Sequence, residues 1–181
     1  MTLFQFGRTI TCACGERVGF EHKLNLSRDE ELKFFADVNV ARLVRWLRAN
    51  GIDTAWEDSI SDEDLVRRAI DEKRFVLTLD KGLVEEWRSD NVLLLTQDKP
   101  LEQFREIIRR FDIKKPKEFF TRCLVCNHVL RNAGAEEIAE NAPPQIRENQ
   151  KEFYYCPNCD KIYWEGSHTR RMRATIEELF E

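Results

Sequence analysis

Two Cys-x-x-Cys pairs in the last third of the chain constrain its fold more than any other feature. Cys123 and Cys126 form the first pair, and Cys156 and Cys159 form the second. Each pair places two thiols on one tight turn, and two such turns supply the four soft ligands of a closed tetrahedral zinc site. The alternative interpretation is a pair of disulfides or four unrelated core thiols. The spacing favours zinc in a reducing compartment.

The interval between the two pairs is long for a zinc module. It contains 29 residues, whereas short modules usually have about 15–20. We interpret it as an insertion between the two knuckles of a zinc ribbon. His128 and His168 are alternative ligands, but four cysteines already complete a tetrahedral shell.

Composition limits the architecture and the partners. A chain of 181 residues has room for one domain of ordinary size and a small module. No apolar run reaches the roughly eighteen residues of a membrane span, and the first residues lack a signal-peptide apolar stretch, so we expect a cytoplasmic protein. A net charge of −4 argues against bulk electrostatic wrapping of nucleic acid and still allows a local basic face.

The first residues alternate between apolar and polar side chains, which predicts a β-hairpin over residues 2–26 with its turn at 13–16. We treat residues 1–30 as an N-terminal hairpin extension. Cys12 and Cys14 lie at the turn. They are either a metal half-site or redox pair, or two incidental thiols, and the absence of a second ligand pair favours incidental thiols.

From residue 33 to residue 111 the pattern alternates between strands and helices. The predicted strands are Lys33–Ala36, Thr54–Trp56, Phe75–Leu79 and Val92–Leu95, with a helix after each. Such alternation demands right-handed crossovers and a parallel sheet, so the fold class is α/β. A Lys/Pro-rich stretch at 114–117 ends this predicted domain (31–115) and begins the zinc ribbon with its C-terminal helix (116–181).

Acidic residues follow the predicted strands. Asp37 ends the first strand, Asp62 opens the helix after the second, and Asp80 ends the third. The carboxyl ends of parallel strands share one edge of the sheet, where ligands gather. Converging carboxylates suit Mg²⁺ or Mn²⁺, and Asp64 is an auxiliary acid. The alternatives are a helix-dipole role for Asp62 and Asp64 and an ordinary turn at Asp80.

Arginines and an aromatic residue form two candidate RNA-binding surfaces. The first surface consists of arginines at every third position of the first helix, Arg42, Arg45 and Arg48. The second lies near the end of the chain and consists of Trp164, Arg170 and Arg171. The alternatives are a solvated helix face for the first set and a place in the ribbon core for Trp164.

Several motifs together resemble the Mut-seven C-terminal ribonuclease domain family, a PIN-like nuclease fold fused to a zinc ribbon. The nuclease motifs are Phe35-Ala36-Asp37, Arg42-Leu43-Val44-Arg45-Trp46-Leu47-Arg48, Gly51-Ile52-Asp53-Thr54, Asp62-Glu63-Asp64-Leu65-Val66 and Leu77-Thr78-Leu79-Asp80. The ribbon motifs are Arg122-Cys123-Leu124-Val125-Cys126-Asn127, Cys156-Pro157-Asn158-Cys159 and Tyr163-Trp164-Glu165-Gly166-Ser167-His168. The similarity extends over about residues 34 to 175.

The resemblance implies a three-layer α/β/α sheet domain and a metal-dependent ribonuclease whose acidic residues are Asp37, Asp62 and Asp80. Two positions depart from the family pattern. Leu79 replaces an arginine, which removes one phosphate contact, and Thr169 replaces an aromatic residue. The rival interpretations are an RNA-binding protein that retains the fold without turnover, and a protein-interaction domain that uses the ribbon for docking.

Overall fold

A computed structural model describes residues 9–11, 17–19, 31–87 and 90–181. The chain divides into two compact units, Met1–Val44 with Asp53–Glu106 and Arg45–Ile52 with Ile107–Glu181. The predicted boundaries at residues 30 and 115 stay a prediction. None of the helices in the described ranges is long and apolar enough to cross a membrane.

The N-terminal hairpin is confirmed in its central part. Strands β1 (Thr9–Thr11) and β2 (Arg17–Gly19) pair antiparallel, with Ile10 opposite Val18. The predicted turn, with Cys12 and Cys14, and the outer ends of the predicted strands lie outside the described residues.

Four parallel strands form the sheet of the first unit and confirm the α/β class. They are β3 (Lys33–Ala36), β4 (Asp53–Trp56), β5 (Phe75–Thr78) and β6 (Val92–Leu94). Their order in the sheet is β4-β3-β5-β6, and every pair is parallel. Each predicted strand agrees with the observed one to within one residue at either end. Runs of apolar side chains in β3 and β5 suit a sheet that is buried on both faces.

Helices follow the strands as the apolar stripes predict. They are α1 (Ala41–Ala49), preceded by a 3₁₀ turn (Val38–Val40), then α2 (Asp62–Asp71), α3 (Lys81–Trp87) and α4 (Pro100–Phe111). Helix α1 ends in a Schellman motif in which the Ile52 N–H bonds to the Leu47 carbonyl and the Gly51 N–H bonds to the Arg48 carbonyl. Gly51 has φ +84°, which L side chains rarely adopt.

The strand order sets the position of the ligand edge. The chain passes from β3 to β4 in one direction, then crosses β3 to reach β5 and β6. Right-handed crossovers therefore place α1 on one face and α2 and α3 on the other. Leu65, Val66 and Ala69 of α2 share a buried cluster with Leu83 and Trp87 of α3. The order reverses between β3 and β5, and ligands of open parallel sheets bind at such a switch point.

The second unit contains a three-stranded antiparallel sheet in the order β7-β8-β9. Its strands are β7 (Arg131–Asn132), β8 (Phe153–Cys156) and β9 (Lys161–Trp164), and its own helices are α5 (Ala135–Asn141), α6 (Pro144–Asn149) and α7 (Ser167–Glu177). The insertion between the cysteine pairs thus holds β7, α5 and α6. The sequence pattern did not reveal them because α5 and α6 bury no residue and so have no apolar stripe.

Candidate functional site

Asp37 lies at the switch point, one residue beyond the end of β3. Its N–H donates to the Leu77 carbonyl of β5 at 2.9 Å, and the residue is 6% exposed. One carboxylate oxygen, Oδ1, accepts from the Val38 N–H at 2.6 Å. The other, Oδ2, accepts from the Thr78 hydroxyl at 2.7 Å and from the Asn39 amide at 2.5 Å. These donors fix the orientation of a nearly buried carboxylate.

Thr78 connects Asp37 to Asp80. The Thr78 side chain is fully buried, and its oxygen accepts from the Asp80 N–H at 2.9 Å while its hydroxyl donates to Asp37. Asp80 is exposed, and its Oδ1 accepts from the Gly82 N–H at 2.7 Å. A single hydroxyl therefore holds the two acidic segments next to each other at the ends of β3 and β5.

Asn39 is a site residue that the sequence analysis missed. Its amide donates to Asp37 and, at 3.2 Å, to the Thr78 oxygen, while its own carbonyl accepts from the Leu79 N–H at 3.0 Å. The side chain thus bridges the ends of two neighbouring strands. Its place two residues after Asp37 is a local signal, but the contact with Leu79 depends on the pairing of β3 with β5.

Asp62 and Asp64 lie in the first turn of α2, and both are exposed. The Asp64 N–H donates to the Ser61 hydroxyl oxygen at 3.2 Å, and that hydroxyl donates back to the Asp64 carboxylate at 3.0 Å. Hydrogen bonds from Arg67 and then Ser61 lower the pKa of Asp64 below its usual value. Asp64 therefore has a clear role in capping α2, and a carboxylate with a lowered pKa is poorly suited to donate a proton.

The acidic residues do not converge in the way that the cysteines do. Of the described residues, one group of at least three His, Cys, Asp or Glu side chains has all its ligand atoms within 4.8 Å of one another, and it consists of Cys123, Cys126, Cys156 and Cys159. Ligands that share one octahedral Mg²⁺ at about 2.1 Å lie at most about 4.2 Å apart. In this structure the carboxylates of Asp37, Asp62 and Asp80 are therefore not close enough together for all three to bind one ion directly.

The four cysteines form a compact thiol cluster. The Sγ atoms of Cys123 and Cys159 are 3.5 Å apart, those of Cys126 and Cys156 are 3.3 Å apart, and those of Cys126 and Cys159 are 3.8 Å apart. All four thiols are free, so the alternative interpretation of these cysteines as two disulfides is wrong. Sulfurs at about 2.3 Å from one tetrahedral zinc ion would lie about 3.8 Å from each other, so the cluster fits such an ion closely.

Tyr163 of β9 supports this cluster. Its hydroxyl lies 3.0 Å from the Cys123 sulfur. Burial opposes a charge on Cys123, but hydrogen bonds from Tyr163 and from the N–H groups of Cys126 and Val125 outweigh it and lower the pKa of Cys123 to about 6. The pKa of Cys159 is raised, by burial and then by the neighbouring thiols. One thiol of the cluster is thus prepared for the thiolate form that binds metal.

The arginines of helix α1 fall in two different environments. Arg42 and Arg45 are exposed, whereas Arg48 is 3% exposed and donates to the carbonyls of Leu124 and Val125. We therefore remove Arg48 from the predicted phosphate contacts. A repeat of three residues turns each successive side chain about 60° back around a helix of 3.6 residues per turn, so Arg48 points about 120° away from Arg42.

Arg170 and Arg171 of α7 are exposed, as an RNA-binding surface requires. Trp164 is partly buried, and its ring centroid lies 6.5 Å from that of Phe153. His128 and His168 are exposed and are not members of the thiol cluster.

The Mut7-C RNAse domain model matches residues 32–176, which is most of the chain. The protein therefore belongs to the Mut7-C RNAse domain family, a family of ribonuclease domains. No curated protein and no solved structure matches the chain significantly.

Proposed function

We propose that this protein is a metal-dependent ribonuclease that hydrolyses RNA phosphodiester bonds at the carboxyl edge of the parallel sheet. The observation that carries the proposal is Asp37, a nearly buried carboxylate that Thr78 and Asn39 orient at the switch point of a ribonuclease-family fold. Three donors form hydrogen bonds with its two oxygens and hold the carboxylate in one orientation. Its position, where such sheets bind ligands, favours a role in catalysis over a purely local one.

The catalytic ion in this proposal is Mg²⁺ or Mn²⁺. Asp37 and Asp80 would hold it from the ends of β3 and β5, and Asp62 would act from the start of α2. Mg²⁺ usually keeps several of its waters, so two direct carboxylates and a water-mediated third suit it better than three direct ligands. When bound, the ion supplies Lewis-acid polarisation of the phosphodiester and a lowered pKa for an attacking water.

The chain's own residues prepare this edge. Thr78 and Asn39 hold the Asp37 carboxylate in one orientation, which removes the entropic cost of ordering it when substrate arrives. Arg42 and Arg45, exposed on the helix that follows Asp37, would bind the phosphates of the RNA. Trp164, Arg170 and Arg171 would provide a further binding surface.

The four cysteines would hold a structural zinc ion. Four thiol ligands leave no open position, which suits a closed structural site and not a catalytic one. The sulfur separations of 3.3–3.8 Å support this assignment.

The test of the ribonuclease proposal is cleavage of single-stranded RNA with Mg²⁺ or Mn²⁺ by the full chain and by the double variant Asp37→Asn, Asp80→Asn. We expect the double variant to lose at least about 100-fold in rate, because removing electrostatic stabilisation at a reacting centre costs that much or more. The matched control is Asp71→Asn, Asp90→Asn, which removes the same charge from exposed positions that precede strands. Equal cleavage by the double variant and the wild type would contradict the assignment.

The alternative function is RNA binding without turnover. The lack of carboxylate convergence and the loss of an arginine at Leu79 are the observations that favour it. It predicts that Asp37→Asn, Asp80→Asn binds RNA as well as the wild type while neither protein cleaves it. Binding should fall steeply with salt, and Arg42→Gln, Arg45→Gln should reduce that salt dependence.

A further inference from the structure

Arg48 is a buried cation that donates hydrogen bonds to two backbone carbonyls of the first cysteine knuckle, the turn from Cys123 to Cys126. Its guanidinium donates to the Val125 carbonyl at 2.6 Å and to the Leu124 carbonyl at 3.2 Å. Both carbonyls belong to the two residues between Cys123 and Cys126. A metal ligand pair and the last turn of helix α1 are therefore in direct contact.

Other hydrogen bonds join the same two segments. The Phe120 N–H donates to the Ala49 carbonyl at 2.8 Å, so the segment that precedes Cys123 satisfies a carbonyl at the end of α1. Arg122 donates to the Gly51 carbonyl and to the Asn127 carbonyl, both at 3.2 Å. Arg122 thus connects the C-terminal cap of α1 to the far side of the knuckle.

The closed knuckle and the buried guanidinium depend on each other. A buried charge is costly unless it has hydrogen-bond partners. The Leu124 and Val125 carbonyls accept from Arg48 in a turn that backbone hydrogen bonds close, from the Asn127 N–H to the Cys123 carbonyl and from the Cys123 N–H to the His128 carbonyl. A zinc ion bound to both thiols would stabilise the same turn. If the turn opens, Arg48 loses acceptors in a place where water does not readily replace them.

We propose that Arg48 is a positioning residue for the zinc knuckle, and that it links zinc binding to the order of the C-terminal turn of α1. This inference rests on the proposal that the four cysteines bind zinc, and it is independent of ribonuclease activity. Linkage is reciprocal, so zinc orders the helix end by the same free energy by which an ordered helix end favours zinc.

The first experiment measures zinc release from the full chain to a chelator that changes colour on binding zinc. The variants are Arg48→Met, which keeps the bulk of the side chain without donors, and Arg48→Lys, which keeps a cationic donor. We expect Arg48→Met to lose zinc about 10- to 100-fold more readily, because hydrogen bonds to charged groups contribute about 1.5–3 kcal/mol. Arg48→Lys should recover part of that loss. The control is Arg109→Met, on an exposed position of α4.

The second experiment measures amide hydrogen exchange with and without zinc. The reporters are the N–H groups of Asn50, Gly51 and Ile52, which bond to carbonyls of the last turn of α1. Zinc removal from the wild type should raise their exchange at least about tenfold, and in Arg48→Met the zinc-dependent difference should shrink. A purely structural role would change exchange in both metal states equally. The Glu72 N–H at the end of α2 serves as the reference.

The possible results separate the two proposals. Failure of the wild type to bind zinc contradicts the metal assignment itself. Zinc binding with equal release from Arg48→Met and Arg109→Met overturns the role of Arg48. If Arg48→Met does not fold, the proposal is tested by hydrogen exchange of the wild type with and without zinc and by zinc release from Arg48→Lys. Two results overturn the linkage. One is that exchange at the three reporter N–H groups does not change when zinc is removed. The other is that Arg48→Lys retains zinc as well as the wild type although its three reporter N–H groups are not protected from exchange.

Discussion

The thiol cluster and the acidic edge of the sheet are both candidate metal sites, yet they are assembled differently. The four sulfurs already lie within 4.8 Å of one another. The carboxylates of Asp37 and Asp80 are held by hydrogen bonds from Thr78, Asn39 and Gly82. Thiols can form hydrogen bonds with one another and crowd together before a metal arrives, whereas two ionised carboxylates repel each other and need donors between them.

The two sites therefore differ in what they require of a bound metal ion. In the proposed zinc site the metal would bind the four cysteines as thiolates, and its binding would contribute directly to folding. The carboxylates of the acidic edge already have hydrogen-bond donors without an ion, so under the proposed function this edge would release its ion and substrate after each cycle. We expect substitutions in the two regions to differ in how much of their effect on stability depends on bound metal.

The largest expected effect is loss of a cysteine ligand. Cys156→Ser replaces a fully buried thiol, and we expect the zinc content to fall from about one equivalent per chain towards zero, with partial unfolding of the second unit. Elemental analysis and calorimetry of the purified protein measure both effects. The control is the double variant Cys12→Ser, Cys14→Ser, which should retain zinc. Equal zinc content in Cys156→Ser and in this control would contradict the role of Cys156 as a metal ligand.

Loss of the Thr78 hydroxyl should have the next largest effect, on stability. Thr78→Val keeps the shape but leaves a carboxylate oxygen of Asp37 and the Asp80 N–H without this partner. We expect the free energy of unfolding to fall by about 1–3 kcal/mol, the cost of a buried polar group that loses its hydrogen bond. Urea unfolding measures it. Thr96→Val is the exposed control, and a similar loss there would show that Thr78 has no special role.

Asn39 provides a test of metal dependence at the acidic edge. Asn39→Asp places a second carboxylate where the amide now contacts Asp37 at 2.5 Å. We expect a destabilisation of about 1 kcal/mol without metal, because like charges at this distance repel, and recovery of the melting temperature when Mg²⁺ is added. Asn39→Leu should lose stability without any recovery. Identical responses of the two variants to Mg²⁺ would argue against a cation site at this edge.

The smallest expected effect concerns Asp64 and pH. Since its pKa is lower in the folded state than the unfolded value of 3.8, the stability that Asp64 contributes is present above that pH and is lost as the pH falls through the folded pKa. The melting temperature of Asp64→Asn should therefore lie slightly below that of the wild type at pH 7 and match it once the pH has fallen below the folded-state pKa of Asp64. A gap that persists at low pH would mean that Asp64 stabilises α2 by some other interaction.

Much of the fold could be predicted because its signals are local. Apolar runs followed by Asp37 and Asp80 indicated the ends of β3 and β5, and Asp62 marked the start of α2. The spacing of the cysteines placed the thiol cluster. Helices α5 and α6 were missed because they bury no side chain, and periodicity reports only burial.

The errors at the candidate site have one cause. The arginine repeat indicated one surface, but Arg48 is buried against the Leu124 and Val125 carbonyls, far away along the chain. Similarly, the role of Asn39 depends on Leu79, which belongs to another strand. A residue's own segment predicts its helix or strand, but not the partner that a distant segment brings to it.

The strands and helices from residue 33 to residue 111, the parallel class of the sheet and the four clustered cysteines could be predicted from the sequence, because each follows from local periodicity and ligand chemistry. Only the tertiary structure decided which of those residues meet. It brought four thiols together, held the carboxylates with hydrogen bonds short of convergence, and buried Arg48 beneath a knuckle. Contacts of this kind depend on distances between segments that are remote in the chain, and no local pattern encodes them.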